Sequence, residues 1–278
     1  PDGLFTVGML RTQGLTKEFG GLTAVNSVDF ELEAELCSLI GPNGAGKTTF
    51  FNLLTGTLSP TEGTVELRRD RQWEDITDAS PHETASKGIH RSYQVTNVFP
   101  NSTVLENVRV AEQAHSDDAT TFWRNVDHYD EFTERAHEIL DRVGLAHRAE
   151  DLASTLSHGA KRKLEVAIAL AGDPAVLLLD EPNAGVSSES VDEIRDLIEA
   201  VAEDYPVLLV EHNMDIVMGV SDRVVVLHQG AVIADGPPAE VRANPDVQSA
   251  YLGGYEPGSL DDDTTAAGSE TDSEEGTA

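Results

Sequence analysis

Gly41-Pro42-Asn43-Gly44-Ala45-Gly46-Lys47-Thr48 follows the apolar run Leu36–Ile40 and opens a stretch, Lys47–Leu54, that reads as a helix. The octet fits the phosphate-loop pattern G-x-x-x-x-G-K-[ST] at every fixed position. The setting fits as well: a buried strand, a glycine-rich turn, then a helix. Glycines let the backbone wrap closely around phosphate oxygens with N–H groups turned inward. The helix start adds a partial positive charge. Gly41, Pro42, Asn43, Gly44, Ala45, Gly46, Lys47, Thr48 and Thr49 are therefore the candidate nucleotide-binding residues. Lys47 would neutralise the β and γ phosphates, and the Thr48 hydroxyl would ligate Mg²⁺. Alone, the loop says nucleoside triphosphatase or kinase.

A second apolar strand, Val176-Leu177-Leu178-Leu179, ends in Asp180-Glu181. Ligands of α/β sheets gather at the carboxyl ends of strands. That places Asp180 to hold Mg²⁺ through water, and Glu181 to polarise an attacking water as general base. Two solvated acids capping a strand before Pro182 would look the same; the phosphate loop upstream favours the chemical reading.

Outward from these motifs the chain alternates strand and helix, which predicts an α/β fold. Val28–Leu32 and Thr64–Leu67 read as strands. From about Asn101 to Glu165 helical patterns dominate: Val104–Ala111, Tyr129–Val143 and Gly159–Ala171, with polar Ala114–Asp127 as a loop. The alternation resumes with strands at Val176–Leu179, Pro206–Val210 and Arg223–Leu227. Between and after them, Ser190–Ala202, Met214–Val220, Pro237–Arg242 and Pro245–Leu252 read as helices. One domain over 8–254 is expected, with a helical subdomain at about 101–165 inserted in it. The acidic tail 255–278 holds too little apolar surface to order itself.

Composition narrows the class. The 278 residues are 39% hydrophobic, enough for a core. The longest apolar runs, Ala175–Leu179 and Val224–Leu227, fall far short of the roughly 20 residues that span a bilayer. Pro1–Leu10 lacks the basic flank and apolar stretch of a signal peptide, so a cytoplasmic location is expected. The single cysteine, Cys37, sits in an apolar strand and reads as a buried, inert thiol. Fifty acids stand against 19 bases, a net charge of −31. Only eight of those acids lie in Glu256–Ala278, so the acidity is spread over the chain. Such a surface argues against nucleic acid as a partner and suits a salt-rich cytoplasm, where repulsion is screened.

From about Leu10 to Gly254 the chain resembles the ATP-binding subunits of ABC transporters. Leu156-Ser157-His158-Gly159-Ala160-Lys161-Arg162 looks like the family's LSGGQ signature and lies the right distance before Asp180-Glu181. The resemblance implies a RecA-like P-loop NTPase core with an N-terminal antiparallel β region and an inserted helical subdomain. It implies that Ser157, His158 and Gly159 bind the γ-phosphate of ATP held by a partner subunit. Gln94, in Arg91-Ser92-Tyr93-Gln94, resembles the glutamine that touches Mg²⁺ and the attacking water. His212, in Val210-Glu211-His212-Asn213, resembles the switch histidine at the γ-phosphate. Phe19 resembles the aromatic on which adenine stacks.

Some residues depart from the family pattern. His158 stands for the first signature glycine and Ala160 for the glutamine. Ser187, in Asn183-Ala184-Gly185-Val186-Ser187, stands where many relatives carry Asp. Glu33-Ala34-Glu35 replaces a Pro-Gly turn. None of these removes Lys47, Thr48, Asp180, Glu181 or His212, so an active ATPase is expected. Leu22-Thr23-Ala24-Val25-Asn26, Glu211-His212-Asn213-Met214 and the ending Asn244–Gly253 are similar to importers of branched-chain amino acids; His158 is similar to the neighbouring urea and short-amide branch. The partners implied are membrane permease subunits, a second ATP-binding subunit (identical or sister) and, indirectly, an extracellular solute-binding protein. The location implied is the inner face of the membrane, held there by the permease. A non-transport ABC-type ATPase, a kinase and a non-hydrolysing scaffold stay open as alternatives.

Overall fold

A computed structural model describes residues 9–69, 71–92, 98–115, 126–186 and 188–252. Leu10–Phe19 (β1), Leu22–Leu32 (β2), Glu62–Arg69 (β4) and Gln72–Asp75 (β5) form an antiparallel sheet in the order β2-β1-β4-β5. The second sheet holds Leu36–Ile40 (β3), Ile89–Ser92 (β6), Val176–Asp180 (β7), Val207–Val210 (β8), Arg223–His228 (β9) and Ala231–Gly236 (β10). Its order is β10-β9-β3-β8-β7-β6, parallel throughout except for β10.

β3, β7 and β8 are buried at every residue. A parallel sheet covered on both faces needs such unbroken apolar strands. The strand period of two divides their side chains between two cores. Val176 and Leu178 pack with Phe50, Phe51, Leu53 and Leu54 of the helix Lys47–Leu54 (α1), and with Val65 and Leu67 of β4. Leu177 and Leu179 pack on the other side, with residues of Val104–His115 (α3), Val126–Arg142 (α4), His158–Leu170 (α5) and Ser188–Ala202 (α6). Fully burying each such side chain stabilises the fold by about 1.5–3 kcal/mol. Cys37 is buried in β3, and burial raises its thiol pKa above the ordinary value.

Register places the site. Leu39 pairs with Val210, Asp180 with Val210, and Ile40 with Val226. The carboxyl ends of β3, β7 and β8 are therefore level, and the phosphate loop, Glu181 and His212 leave the sheet at one edge.

The expected elements form, some with shifted ends. The helix read from Gly159 begins at His158 behind Ser157, and runs to Leu170. The one read from Ser190 begins at Ser188. The polar stretch 114–127 is entered by helix from both sides; 116–125 lie outside the described residues. So do Gln94, Ser187 and the acidic tail.

The N-terminal antiparallel β region that the resemblance implied is present as β2-β1-β4-β5, but β1, β5, β6, β10 and the short helix Pro81–Ser86 (α2) were not read individually from the sequence. β1 is hard to read because register shifts interrupt its alternation. β6 contributes Ile-His-Arg-Ser, four residues of mixed polarity that pair in parallel with β7, with Ile89 and Ser92 buried. α2 carries a local signature after all: Ser80 Oγ accepts from Glu83 N–H while Glu83 Oε2 accepts from Ser80 N–H, a capping box. Met214–Val220 (α7), Pro238–Ala243 (α8) and Pro245–Leu252 (α9) complete the fold. Among the described residues no helix is long and apolar enough to cross a membrane.

Candidate functional site

The phosphate loop is held in shape by its neighbours. Gly46, the residue before α1, has φ +106°, and a Cβ there would stand 2.3 Å from the Ala24 carbonyl oxygen of β2. At Gly41 a Cβ would stand 2.1 Å from the Leu227 carbonyl oxygen of β9. Only glycine fits either position. Lys47 curls back into the loop, and its Nζ donates to the carbonyls of Gly41 at 2.5 Å and Pro42 at 3.2 Å. Burial lowers the Lys47 pKa, against the opposing pull of Glu181 and Asp180. The first-turn N–H groups of a helix have no intrahelical acceptor, so α1 presents donors beside this ammonium.

A cleft of about 220 Å³ is lined by Ala24, the run from Asn43 to Thr49, Glu181 and His212. The sequence read these as three separated motifs, and the fold makes them one wall. Glu181 has φ +50°, the left-handed region that costs a side-chain-bearing residue strain. Its N–H donates to the Val210 carbonyl at 2.8 Å, which anchors this turn to the end of β8. Its Oε1 lies 2.7 Å from His212 Nε2; with the carboxylate ionised, the imidazole donates. The cleft thus joins phosphate-binding donors, a carboxylate able to take a proton from water, and an imidazole that orients it.

Asp180, the last residue of β7, is buried and paired with the Arg91 guanidinium. Phe19, at the end of β1, is 46% exposed, and Lys17 Nζ lies 5.3 Å from its ring centroid. Ser157 and His158 are exposed and Gly159 is buried. Ser157 caps α5, its Oγ accepting from Ala160 N–H at 3.3 Å. None of the three lines the cleft that holds Lys47 and Glu181.

The sequence reading missed Glu211. This buried carboxylate accepts from Asn183 N–H at 2.9 Å, Asn183 Nδ2 at 3.0 Å, His212 N–H at 3.1 Å and Asn213 N–H at 3.4 Å. It ties the turn after Glu181 to the turn that carries His212. An acid directly after an all-apolar strand was the available signal. Glu211→Ala is expected to lower stability by about 1–3 kcal/mol, the cost of leaving buried donors unmet. It should also slow hydrolysis by displacing His212. Glu211→Gln keeps an acceptor oxygen and should lose less; thermal melts and ATPase assays of both variants check this.

Comparisons with known proteins bear on the family and the fold. The family model described as ABC transporter matches residues 25–184, and the one described as branched-chain amino acid ATP-binding cassette transporter matches residues 231–257. The chain is 42% identical over 255 residues to the Salmonella typhimurium high-affinity branched-chain amino acid transport ATP-binding protein LivG, covering 88% of this chain and 98% of that one. A crystal structure of an ABC transporter's ATP-binding cassette in its ADP conformation superposes with TM-score 0.76 at 32% identity, covering 89% of this chain and 100% of that one. A dimeric cassette in a post-hydrolysis state with ADP and Pi superposes with TM-score 0.67 at 26% identity, covering 83% of this chain and 99% of that one. In sequence over most of its length and in fold, this chain belongs to the ABC transporter family, among its ATP-binding cassettes, which are ATPases.

Proposed function

We propose that this chain hydrolyses ATP to drive the import of branched-chain, hydrophobic amino acids through a separate membrane permease. The observation that carries the solute class is the match of residues 231–257 to the branched-chain segment, beside 42% identity to LivG. ATP would lie against the loop Gly41–Thr49, with adenine on Phe19, Lys47 at the β and γ phosphates, Glu181 as general base and His212 at the γ-phosphate. The open face of Phe19 and the shared cleft support this assignment.

The residues fit a magnesium ion that arrives with the nucleotide. Thr48 and Asp180 offer hard oxygen donors, and Mg²⁺ takes one or two carboxylates plus phosphate oxygens and waters. Among the described residues no cluster of three His, Cys, Asp or Glu could cage an ion alone. When bound, the ion would neutralise phosphate charge. Gln94 would be its further ligand by resemblance.

Two such subunits would pair head to tail, each supplying Ser157, His158 and Gly159 to ATP on the other. The exposure of Ser157 and His158 away from their own cleft supports this, and a cassette of similar fold is dimeric. ATP binding and hydrolysis would then shift the pair between closed and open populations.

The permease would seat a short cytoplasmic helix in the groove of about 220 Å³ between α2, β6 and α5, lined by Pro81, Ala85, Ile89, Glu165 and Ile168 among others. Leu152, 46% exposed, on the helical insertion (about 101–165 of an ATP-binding domain spanning 8–254), and Phe99, 58% exposed, just before it, offer apolar surface. On this reading the chain would sit on the inner face of the membrane, served from outside by a solute-binding protein. The dispersed negative charge is what a salt-rich cytoplasm would favour.

Deleting the chain from its host should abolish uptake of labelled leucine, isoleucine and valine and leave urea uptake unchanged. Loss of urea uptake alone would transfer the assignment to the urea and short-amide branch, which His158 resembles.

A further inference from the structure

Arg91 on β6 holds three elements at once. Its Nη2 donates to Asp180 Oδ2 at the end of β7. Its Nη1 donates to Asn52 Oδ1 of α1 at 2.7 Å. Its guanidinium carbon lies 5.5 Å from the centroid of the Phe51 ring, also on α1. The Arg91 and Asp180 side chains are each only 8% exposed. Arg91 is also among the residues lining the groove between α2, β6 and α5, with His90 and Ser92 on either side of it in β6.

We propose that Arg91 is a positioning residue that transmits occupation of this groove by the permease to the Asp180 carboxylate and the phosphate-loop helix. The proposal rests on the reading of the groove as the permease's seat. Its physical basis is the planar, forked guanidinium, whose two Nη groups are fixed relative to each other. A movement of β6 that turns the fork must turn Asp180 and Asn52 together, or break one bond. In a buried pair, breaking one bond leaves a charge unmet, so the arrangement favours discrete positions over gradual drift. With Oδ2 held by Arg91, the fork sets the orientation of the Asp180 carboxylate, which would hold the metal ion when nucleotide is bound. Permease docking and metal affinity then become coupled, and the coupling is reciprocal.

The test is Arg91→Lys in the full chain. Lysine keeps the charge and loses the fork. Binding of a fluorescent ATP analogue is titrated with Mg²⁺ and also measured in EDTA. ATPase stimulation is measured on adding the permease in detergent. The variant should bind nucleotide in EDTA within about threefold of wild type, because the phosphate loop is intact. It should need at least tenfold more Mg²⁺ for half-saturation, and its stimulation by the permease should fall at least fivefold while the complex still assembles. Wild-type magnesium dependence would overturn the proposal. So would a shifted magnesium dependence with normal stimulation, since Arg91 would then position Asp180 without carrying any signal. Asn52→Ala, which removes the acceptor of the fork's other arm, should move both readouts the same way and serves if Arg91→Lys misfolds. Ala85→Trp fills the groove and tests the premise separately. If that variant still assembles with the permease and is stimulated normally, the groove reading fails, whatever Arg91→Lys does.

Discussion

Glu181→Gln is expected to slow ATP hydrolysis by about 10²–10⁴-fold, the usual contribution of a general base. Nucleotide binding should survive, and the variant should accumulate as an ATP-bound dimer. The geometry makes the substitution clean. Glutamine accepts the same backbone strain at φ +50°, retains the N–H bond to Val210 and keeps an oxygen facing His212 Nε2. What it lacks is the ability to take a proton from water. Single-turnover hydrolysis together with size-exclusion chromatography reads both effects. A glutamine variant within tenfold of wild type would remove Glu181 from the chemistry and leave it a structural acid.

Lys47→Ala should weaken ATP binding by 10- to 100-fold, from the loss of charge-assisted bonds worth about 1.5–3 kcal/mol. Lys47 is poised for this by its surroundings. The Gly41 and Pro42 carbonyls hold its ammonium inside the loop, and burial, which lowers its pKa, means that its charge is poorly solvated before any phosphate arrives. Adenosine, which carries no phosphate, should bind wild type and variant alike. Equal loss for adenosine would mean that the loop had collapsed, and an unchanged ATP affinity would place the phosphates elsewhere.

Most of this site could be read in the sequence because its parts are local. The strand Leu36–Ile40, the loop and α1 form one continuous segment with fixed spacing, in which Gly41 and Gly46 each answer to a nearby carbonyl and Gly44 takes a positive φ. The strand Val176–Asp180 was equally plain, since a strand buried on both faces is uniformly apolar. The His212 assignment needed only the end of a third such strand. Position alone placed Ser157, and the helix cap it forms is what its local sequence would give in any protein.

What escaped was set by partners distant in the chain. β6, at the edge of its sheet, gives too polar a segment to read as a strand until Arg91 meets Asp180, 89 residues away. Glu211 looks like one more acid in an acidic chain until its carboxylate gathers Asn183, 28 residues earlier, together with His212. β1 was hidden because bulges break its alternation. β10 was hidden because its residues are mostly half-buried beside β9, giving no clean polar face. Arg223 shows the same dependence on context. It joins Glu35 to Asp235 at the start of β9, so the unusual Glu33-Ala34-Glu35 turn gains a partner that no local pattern revealed.

A motor that couples ATP hydrolysis to amino-acid uptake can be watched at both ends in one reconstituted system. Purified chain and its permease are reconstituted in proteoliposomes with the solute-binding protein on the outside, and labelled leucine uptake and ATP hydrolysis are followed together, beside Glu181→Gln. Uptake should require ATP on the face bearing this chain, rise in step with hydrolysis and disappear in the glutamine variant. Leucine uptake that continues without ATP or with Glu181→Gln, or hydrolysis that moves none of the branched-chain amino acids, would contradict it.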